Sequence, residues 1–222
     1  MNHIDNATIN YRDELVRKGV HFCSLSIPTI YYFIPRFDAI VILSVLTFLA
    51  VALDLGRFAI PQVGVFFNKY FAFMMRKHEL DTKKKNLNGA SYVLISALAC
   101  VIIFPKVIVV TAFAILIISD SFAALIGRRF GTRKFLSKSL EGTIAFFITA
   151  VVVVLVTPKV YYLPIEFVIG FIAAFVGTIV ENISFGFADD NLSIPLAIGF
   201  TMWGLYLLLL PNVDLILKNV PL

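Results

Sequence analysis

The run VIVVTAFAILIISDSFAALI, from Val107 to Ile126, decides the fold, because Asp120 is its only charged residue. A helix that crosses a bilayer needs about 20 mainly apolar residues, and this run supplies them. Hydrophobic residues make up 59% of the chain and charged residues only 15%, which departs strongly from soluble proteins. We therefore predict an all-α integral membrane protein.

Six further apolar runs extend this prediction to a polytopic bundle of about seven transmembrane helices. Several runs are shorter than about 17 residues, so their polar flanks would have to complete the crossing. No repeat, low-complexity tract or linker divides the chain, and residues 1–222 are predicted to form one membrane-embedded domain. The predicted spans are Val20–Ile34, Ala39–Leu53, Ala90–Phe104, Val107–Ile126, Gly142–Thr157, Val160–Val180 and Leu192–Leu210.

The segment Ala59–Lys77 is apolar at helical spacing, but Gln62, Asn68 and Lys69 interrupt it. An eighth span here would place clusters of basic residues on both sides of the membrane. Cytoplasmic loops are enriched in Lys and Arg. We therefore predict an amphipathic helix on the cytoplasmic membrane surface.

The basic residues also predict the orientation of the chain. With a cytoplasmic N-terminus, the Lys83–Lys85 run and the Arg128–Lys138 loop both lie inside, and each outer segment keeps a single basic residue. The polar N-terminal segment lacks the features of a signal peptide. Topology thus explains the net positive charge, and nucleic acid is not an expected partner.

Polar side chains converge on the cytoplasmic ends of several predicted spans. Asp120 lies about 12 Å along the helix from Arg128, and a charge inside a membrane helix costs about 2.5–3.5 kcal/mol at its centre. Small residues follow Asp120 on one helix face, which allows close approach by a helix or a ligand. The other residues on such faces are Arg17, His21, Lys138, Glu141, Gly142 and Glu181.

The stretch VENISFGFADDNLSIPL, Val180–Leu196, brings Glu181, Asp189 and Asp190 close together. Carboxylates beside Lys and Arg favour a metal–phosphate site, because Mg²⁺ takes one or two carboxylates plus substrate phosphates. Plainer interpretations stay open. Asp120 also suits a buried structural ion pair, and the acids after Glu181 also suit a solvated cap on the last helix.

Four blocks resemble the family of dolichol kinases, phytol kinases and CTP-dependent diacylglycerol kinases, and they cover nearly the whole chain in order. One departure is Ser119-Asp120, where the family is expected to have Gly-Asp. The chain looks like the compact catalytic core, so a prokaryotic plasma (inner) membrane is the expected location. The blocks are ELVRKGVH (Glu14–His21), MMRKHEL through LNGASY (Met74–Tyr92), SDSFAALIGRRFG with KSLEGT (Ser119–Thr143) and VENISFGFADDNLSIP (Val180–Pro195).

This resemblance implies transfer of the γ-phosphate of CTP to the hydroxyl of a membrane lipid, assisted by Mg²⁺. The choice of CTP over ATP comes from the resemblance alone. A phosphatidate cytidylyltransferase is the first alternative, and a small membrane transporter is the second. The expected partners are CTP and a lipid alcohol, either an isoprenoid alcohol or diacylglycerol. The identity of the lipid and the oligomeric state are left open.

Residue roles follow from the logic of phosphoryl transfer, which combines positioning with charge neutralisation. The lipid proton is expected to go to Asp190, Glu141 or His21, and Asn88 and Gly89 are assigned on the resemblance alone. The predicted metal ligands are Asp120, Glu181 and Asp189. The predicted catalytic residues are Asp120, Lys138, Glu141, Glu181, Asp189 and Asp190. The predicted nucleotide-binding residues are Arg17, His21, Asn88, Gly89, Arg128, Arg129, Lys138, Gly142 and Asn191.

Overall fold

A computed structural model describes residues 11–71, 87–183 and 189–222 of the chain. These residues form helices and one short antiparallel hairpin, so the predicted all-α class is confirmed. The helices are α1 (Tyr11–Cys23), α2 (Ser26–Phe33), α3 (Arg36–Ala59), α4 (Pro61–Phe71), α5 (Gly89–Ile103), α6 (Lys106–Phe130), α7 (Leu140–Val156), α8 (Pro164–Ile183) and α9 (Asp190–Leu209). The hairpin strands are β1 (Lys134–Phe135) and β2 (Lys138–Ser139).

Four helices in the described part of the chain are long and apolar enough to cross a membrane, namely α3, α6, α8 and α9. Helices α5 and α7 are also apolar but have only 15 and 17 residues. The prediction of about seven spanning helices is therefore not supported, whereas a membrane protein with several apolar helices is.

The first predicted span, Val20–Ile34, is not one continuous helix. The chain turns between α1 and α2, where the backbone N–H groups of Ser24 and Leu25 bond three residues back instead of four. Pro28 explains the break, because proline has no N–H to donate to the carbonyl of Ser24 and is best tolerated in the first turn of a new helix. The sequence therefore replaces one long helix with two short ones.

The sixth predicted span, Val160–Val180, is shifted along the chain. Helix α8 begins at Pro164 and runs to Ile183. The carboxylate of Glu166 accepts hydrogen bonds from the backbone N–H groups of Val160, Tyr161 and Leu163. These bonds hold the preceding residues in a non-helical loop and satisfy donors that would otherwise be buried without partners.

Helix α6 is the centre of the molecule, and it contains the run that decides the fold. The rest of the protein buries 83% of the most apolar 18-residue stretch of α6. For the corresponding stretch of α3 the buried share is only 17%. Helices α1, α2, α5, α7 and α9 all pack against α6. The apolar run of α6 is thus covered by protein, while α3 leaves large side chains such as Phe37 and Phe48 exposed.

Polar contacts join the helices at two opposite ends of the bundle. At one end, here called the Lys106 end, Lys106 Nζ donates to the carbonyl of Ile34 at 2.8 Å and Arg36 Nε donates to that of Val101 at 2.9 Å. A cavity of about 310 Å³ also lies there, lined by Arg36, Lys106 and the C-terminal segment. The other end, here called the Lys138 end, holds the hairpin and the starts of α7 and α9.

The predicted amphipathic helix is present as α4, from Pro61 to Phe71; residues 72–77 of that prediction lie outside the described residues. Val65, Phe66 and Tyr70 leave 68%, 55% and 51% of their surface exposed. An exposed apolar stripe of this kind suits a helix that lies at a membrane interface.

Helices α6 and α7 approach each other through small residues. A Cβ atom placed on Gly142 would lie 2.9 Å from the carbonyl oxygen of Ala123 and 3.2 Å from Gly127 Cα. The small-residue face that follows Asp120 therefore serves close helix packing. This packing carries the hairpin, and with it Lys138, to the end of α6.

Candidate functional site

Lys138 lies between two carboxylates that come from two other helices. It belongs to β2, and the turn that leads to it contains Leu136 in the left-handed region, with φ of 50°. Lys138 Nζ donates to Glu181 Oε1 at 2.6 Å and to Asp190 Oδ2 at 3.1 Å. One ammonium group thus ties the hairpin to the end of α8 and the start of α9.

These three side chains are largely shielded from water. Glu181 and Asp190 are 3% and 10% exposed, and Lys138 is 24% exposed. Burial by itself lowers the pKa of the lysine, but the carboxylates of Asp190, Glu181 and Asp120 outweigh it and hold the pKa of Lys138 above its ordinary value. Lys138 is therefore positively charged throughout the physiological pH range.

Asn182 fixes the backbone of the lysine. Its Oδ1 accepts a hydrogen bond from the backbone N–H of Lys138 at 3.2 Å. Its Nδ2 donates to the hydroxyl of Thr143, which in turn donates to the carbonyl of Ser139 at 2.9 Å. Asn182 is fully buried and Thr143 is 7% exposed. This chain of bonds connects α8, α7 and β2 and sets the position from which the Lys138 side chain starts.

A second group of charges joins α1 to α6. Lys18 donates to Asp120 Oδ2, and His21 Nε2 lies 3.8 Å from the same oxygen. One turn earlier on α1, Glu14 pairs with Arg128 at 3.2 Å and with Arg17 at 3.8 Å. Every one of these ion-pair side chains is at most 18% exposed.

Asp120 connects the two groups. It pairs with Lys18, and its charge is also one of the three that raise the pKa of Lys138. The candidate site is therefore one cluster drawn from α1, α6, β2, α8 and α9. In its ion pairs, the acids Glu14, Asp120, Glu181 and Asp190 face the bases Arg17, Lys18, Arg128 and Lys138.

The predicted metal ligands Asp120, Glu181 and Asp189 are not assembled into one group. Among the described residues, no three His, Cys, Asp or Glu side chains are placed to hold a metal ion. However, Glu181 Oε2 is buried without a hydrogen-bond partner among the described residues, so the Glu181–Asp190 pair keeps unused acceptor capacity. Because Mg²⁺ takes one or two carboxylates and completes its shell with phosphates and water, this pair fits magnesium.

Asp189 and Asn191 belong to the start of α9. Asp189 is the N-cap, and its Oδ1 accepts hydrogen bonds from the backbone N–H of Asn191 at 2.9 Å and from its side-chain amide at 2.7 Å. The capping interpretation therefore fits Asp189, while its neighbour Asp190 reaches Lys138.

Glu141 and Gly142 are placed in structural contacts. The Glu141 carboxylate accepts from the hydroxyl of Thr132 at 2.7 Å and from the backbone N–H of Arg133. The Thr132 bond lowers the pKa of Glu141 to about 2. Glu141 thus clamps the loop that leads into the hairpin, and Gly142 lies in the contact between α6 and α7.

The remaining predicted residues lie apart from these ion pairs. Asn88 caps α5 by accepting from the backbone N–H of Ser91 at 2.9 Å, directly before Gly89 begins that helix. The buried Asp54 of α3 accepts from the Asn88 backbone N–H at 2.6 Å. Arg129 is exposed and its guanidinium stacks on the Phe130 ring.

Sequence reasoning missed Lys18, Asn182 and Thr143. Each of the three is a polar residue that directly follows a predicted site residue in the chain. Each is also buried in the structure. Asn182 follows Glu181 in an apolar helix, and a buried amide must find hydrogen-bond partners. Lys18 lies three residues before His21, so the two share a face of α1.

The chain is similar to the uncharacterized protein RP860 of Rickettsia prowazekii (strain Madrid E), with 31% identity over 191 residues. The alignment covers 86% of this chain and 93% of the Rickettsia protein. No family model matches the chain. No solved structure matches it either.

Proposed function

The chain belongs to the same family as the Rickettsia prowazekii protein, and we propose that it is a membrane-embedded kinase that transfers the γ-phosphate of CTP to the hydroxyl of a membrane lipid. The observation that carries this proposal is the Lys138 ammonium between Glu181 and Asp190, largely shielded from water at one end of a bundle of apolar helices. Phosphoryl transfer needs positive charge for the phosphates and carboxylates for a metal ion, and this cluster supplies both.

The reaction assigns a distinct role to each part of the cluster. The bond between the γ-phosphorus and the bridging oxygen breaks, CDP leaves, and a new bond forms from the γ-phosphorus to the lipid oxygen. Lys138 and Arg128 would neutralise phosphate charge, and Glu181 and Asp190 would hold Mg²⁺. When bound, Mg²⁺ would supply further neutralisation of the phosphate oxygens.

The proton of the lipid hydroxyl is assigned to His21. Its imidazole lies 3.8 Å from the Asp120 carboxylate, which would stabilise the imidazolium that forms, as in other base–carboxylate pairs. His21 lies on α1 beside Val20 and Phe22, which are 51% and 37% exposed. An apolar surface next to a base suits a substrate whose hydroxyl is attached to a hydrocarbon tail.

The Lys138 end is proposed to face the cytoplasm of a prokaryotic cell, where CTP is found. The basic residues Arg128, Arg129, Arg133 and Lys134 lie at this end, in agreement with the enrichment of Lys and Arg in cytoplasmic segments. In this arrangement α5, α7 and the α1–α2 pair also cross the membrane, with polar flanks making up for their length.

Transfer from labelled CTP to a lipid panel tests the activity. Purified protein in mixed micelles would be supplied with Mg²⁺, CTP labelled either at the γ-phosphate or in the base, and diacylglycerol or an isoprenoid alcohol. A lipid product labelled only from the γ-phosphate supports the kinase. A product labelled from the base, with release of pyrophosphate, identifies a cytidylyltransferase. No labelled lipid with any acceptor contradicts both enzymes and favours the transporter alternative.

Thiol labelling in intact cells tests the orientation, after both native cysteines are replaced. A cysteine at the exposed Lys134 should be protected from an impermeant reagent, and one at Tyr161, which is 49% exposed, should react. Labelling at Lys134 alone would reverse the proposed topology.

A further inference from the structure

We propose that Lys138 and a divalent cation compete for the Glu181–Asp190 pair, and that the phosphates of the nucleotide receive the Lys138 ammonium when the cation enters. Displacement of Lys138 by the metal ion thus couples metal binding to nucleotide binding. The identity of the nucleotide rests on the function proposed above, whereas the competition between lysine and cation does not.

The Lys138 ammonium occupies the position that a metal ion bound by both Glu181 and Asp190 would take. Lys138 Nζ contacts one oxygen of each carboxylate, at 2.6 Å and 3.1 Å, and these oxygens come from different helices. A metal bound by both side chains must lie between the same two helix ends. Lysine is a compact point charge on a flexible stem, so it can fill this position and also leave it.

The contacts of Lys138 divide it into a fixed part and a movable part. Its backbone is held by the hairpin and by Asn182. Its side chain is the most exposed member of the trio, at 24%. The ammonium can therefore swing outward without any change in the position of α8 or α9.

The two buried carboxylates favour the presence of a cation, either the Lys138 ammonium or a metal ion. Glu181 and Asp190 are nearly buried, and the charge of Asp120 also acts on Glu181. Buried carboxylates without a counter-charge strongly destabilise a protein. Within the part of the chain that the structure describes, Glu181 Oε2 also has no hydrogen-bond partner, which leaves one oxygen that Lys138 does not satisfy and a metal ion would.

Binding of Mn²⁺ followed by electron paramagnetic resonance tests the competition, because the signal of free Mn²⁺ is lost on binding. The measurement uses the full chain in detergent without nucleotide. Lys138→Met should bind Mn²⁺ at least about tenfold more tightly than wild type. The matched control Lys134→Met, on the exposed neighbouring strand, should bind as wild type does. Equal affinities for wild type and Lys138→Met would overturn the proposal.

Thermal unfolding covers the case in which Lys138→Met is unstable. This variant should unfold at a lower temperature than wild type in EDTA and regain much of the difference in Mn²⁺ or Mg²⁺. The double variant Lys138→Met/Glu181→Gln should lose both the tight binding and the rescue. A Lys138→Met protein that no concentration of Mn²⁺ stabilises also overturns the proposal, since the metal then fails to replace the lysine.

The outcomes separate this inference from the proposed kinase. Tight Mn²⁺ binding by Lys138→Met without any labelled lipid from wild type would leave the competition standing and remove the kinase. Labelled lipid from wild type, together with equal Mn²⁺ affinities of wild type and Lys138→Met, would support the kinase and overturn the competition.

Discussion

Lys18 of α1 and Asp120 of α6 form an ion pair whose side chains are only 3% and 8% exposed. The partners are 102 residues apart in the chain, so the pair fixes α1 against the central helix. Removing one partner of a buried pair costs about 3–5 kcal/mol, because the other charge is left uncompensated. Replacing both partners by neutral groups is often far less costly.

Lys18→Met is therefore expected to lower the free energy of unfolding by about 3–5 kcal/mol. The double variant Lys18→Met/Asp120→Asn should recover a large part of this loss, since no isolated charge remains. Unfolding in detergent micelles, followed by circular dichroism, measures both. A double variant no more stable than Lys18→Met would show that the pair does not act as a unit.

The positions of most helices could be predicted from the apolar runs, because length and hydropathy dominate in a membrane protein. The run Val107–Ile126 lies wholly within α6. The break after Cys23 was also readable in principle from Pro28, since a missing N–H prevents a continuous helix. Its consequence was overlooked because hydropathy alone treats Val20–Ile34 as one apolar run.

The polar ends of the predicted spans pointed to the Lys138 end, but the pairings between side chains there could not be predicted from the sequence. Asp189 and Asp190 are adjacent. To predict which of them caps α9, the first residue of the helix must be known to within one position. Sequence patterns place helix ends less sharply than that. The pairing of Lys18 with Asp120 depends on the packing of α1 against α6, for which spacing along the chain contains no information.

Gly142→Ala is predicted to destabilise the protein by about 1–3 kcal/mol, the usual range for overpacking. The new Cβ would lie 2.9 Å from the backbone oxygen of Ala123, which cannot move aside as a flexible side chain would. Gly204→Ala is the matched control, because none of the described residues lies within 4 Å of a Cβ at that helical position. It should be neutral or stabilising by up to about 1 kcal/mol. Equal effects of the two substitutions on the unfolding midpoint would contradict close packing of α6 and α7.

The lowered pKa of Lys159 leads us to expect a specific dependence of the free energy of unfolding on pH. Burial, opposed by the charge of Glu166, lowers the pKa of Lys159 from 10.5 to about 8. Between these two values the unfolded chain binds a proton that the folded protein has released, so the free energy of unfolding should rise with pH from about 8 toward 10.5. Lys159→Met should remove this contribution, and unfolding midpoints of both proteins at several pH values give the comparison. Identical pH profiles would show that Lys159 titrates normally.

Thr143 offers a test of how the backbone of Lys138 is positioned. Thr143→Val keeps the shape of the side chain but removes the oxygen that accepts from Asn182 Nδ2. A buried donor left without a partner costs about 1–3 kcal/mol, and Asn182 can relieve it only by moving away from the backbone N–H of Lys138. If Lys138 acts on the phosphates, turnover should fall about tenfold or more, since about 1.4 kcal/mol in the barrier is a factor of ten.

Thr149→Val is the matched control for this substitution. It lies on the same helix, and its hydroxyl only donates to carbonyls of its own helix, at Ala145 and Phe146. Turnover of labelled CTP at saturating substrate and the unfolding midpoint would be measured for both variants. A purely structural role for Thr143 predicts a lower midpoint with turnover of the folded fraction unchanged. A positioning role predicts that turnover falls at temperatures well below the midpoint, while the Thr149→Val protein works as wild type does.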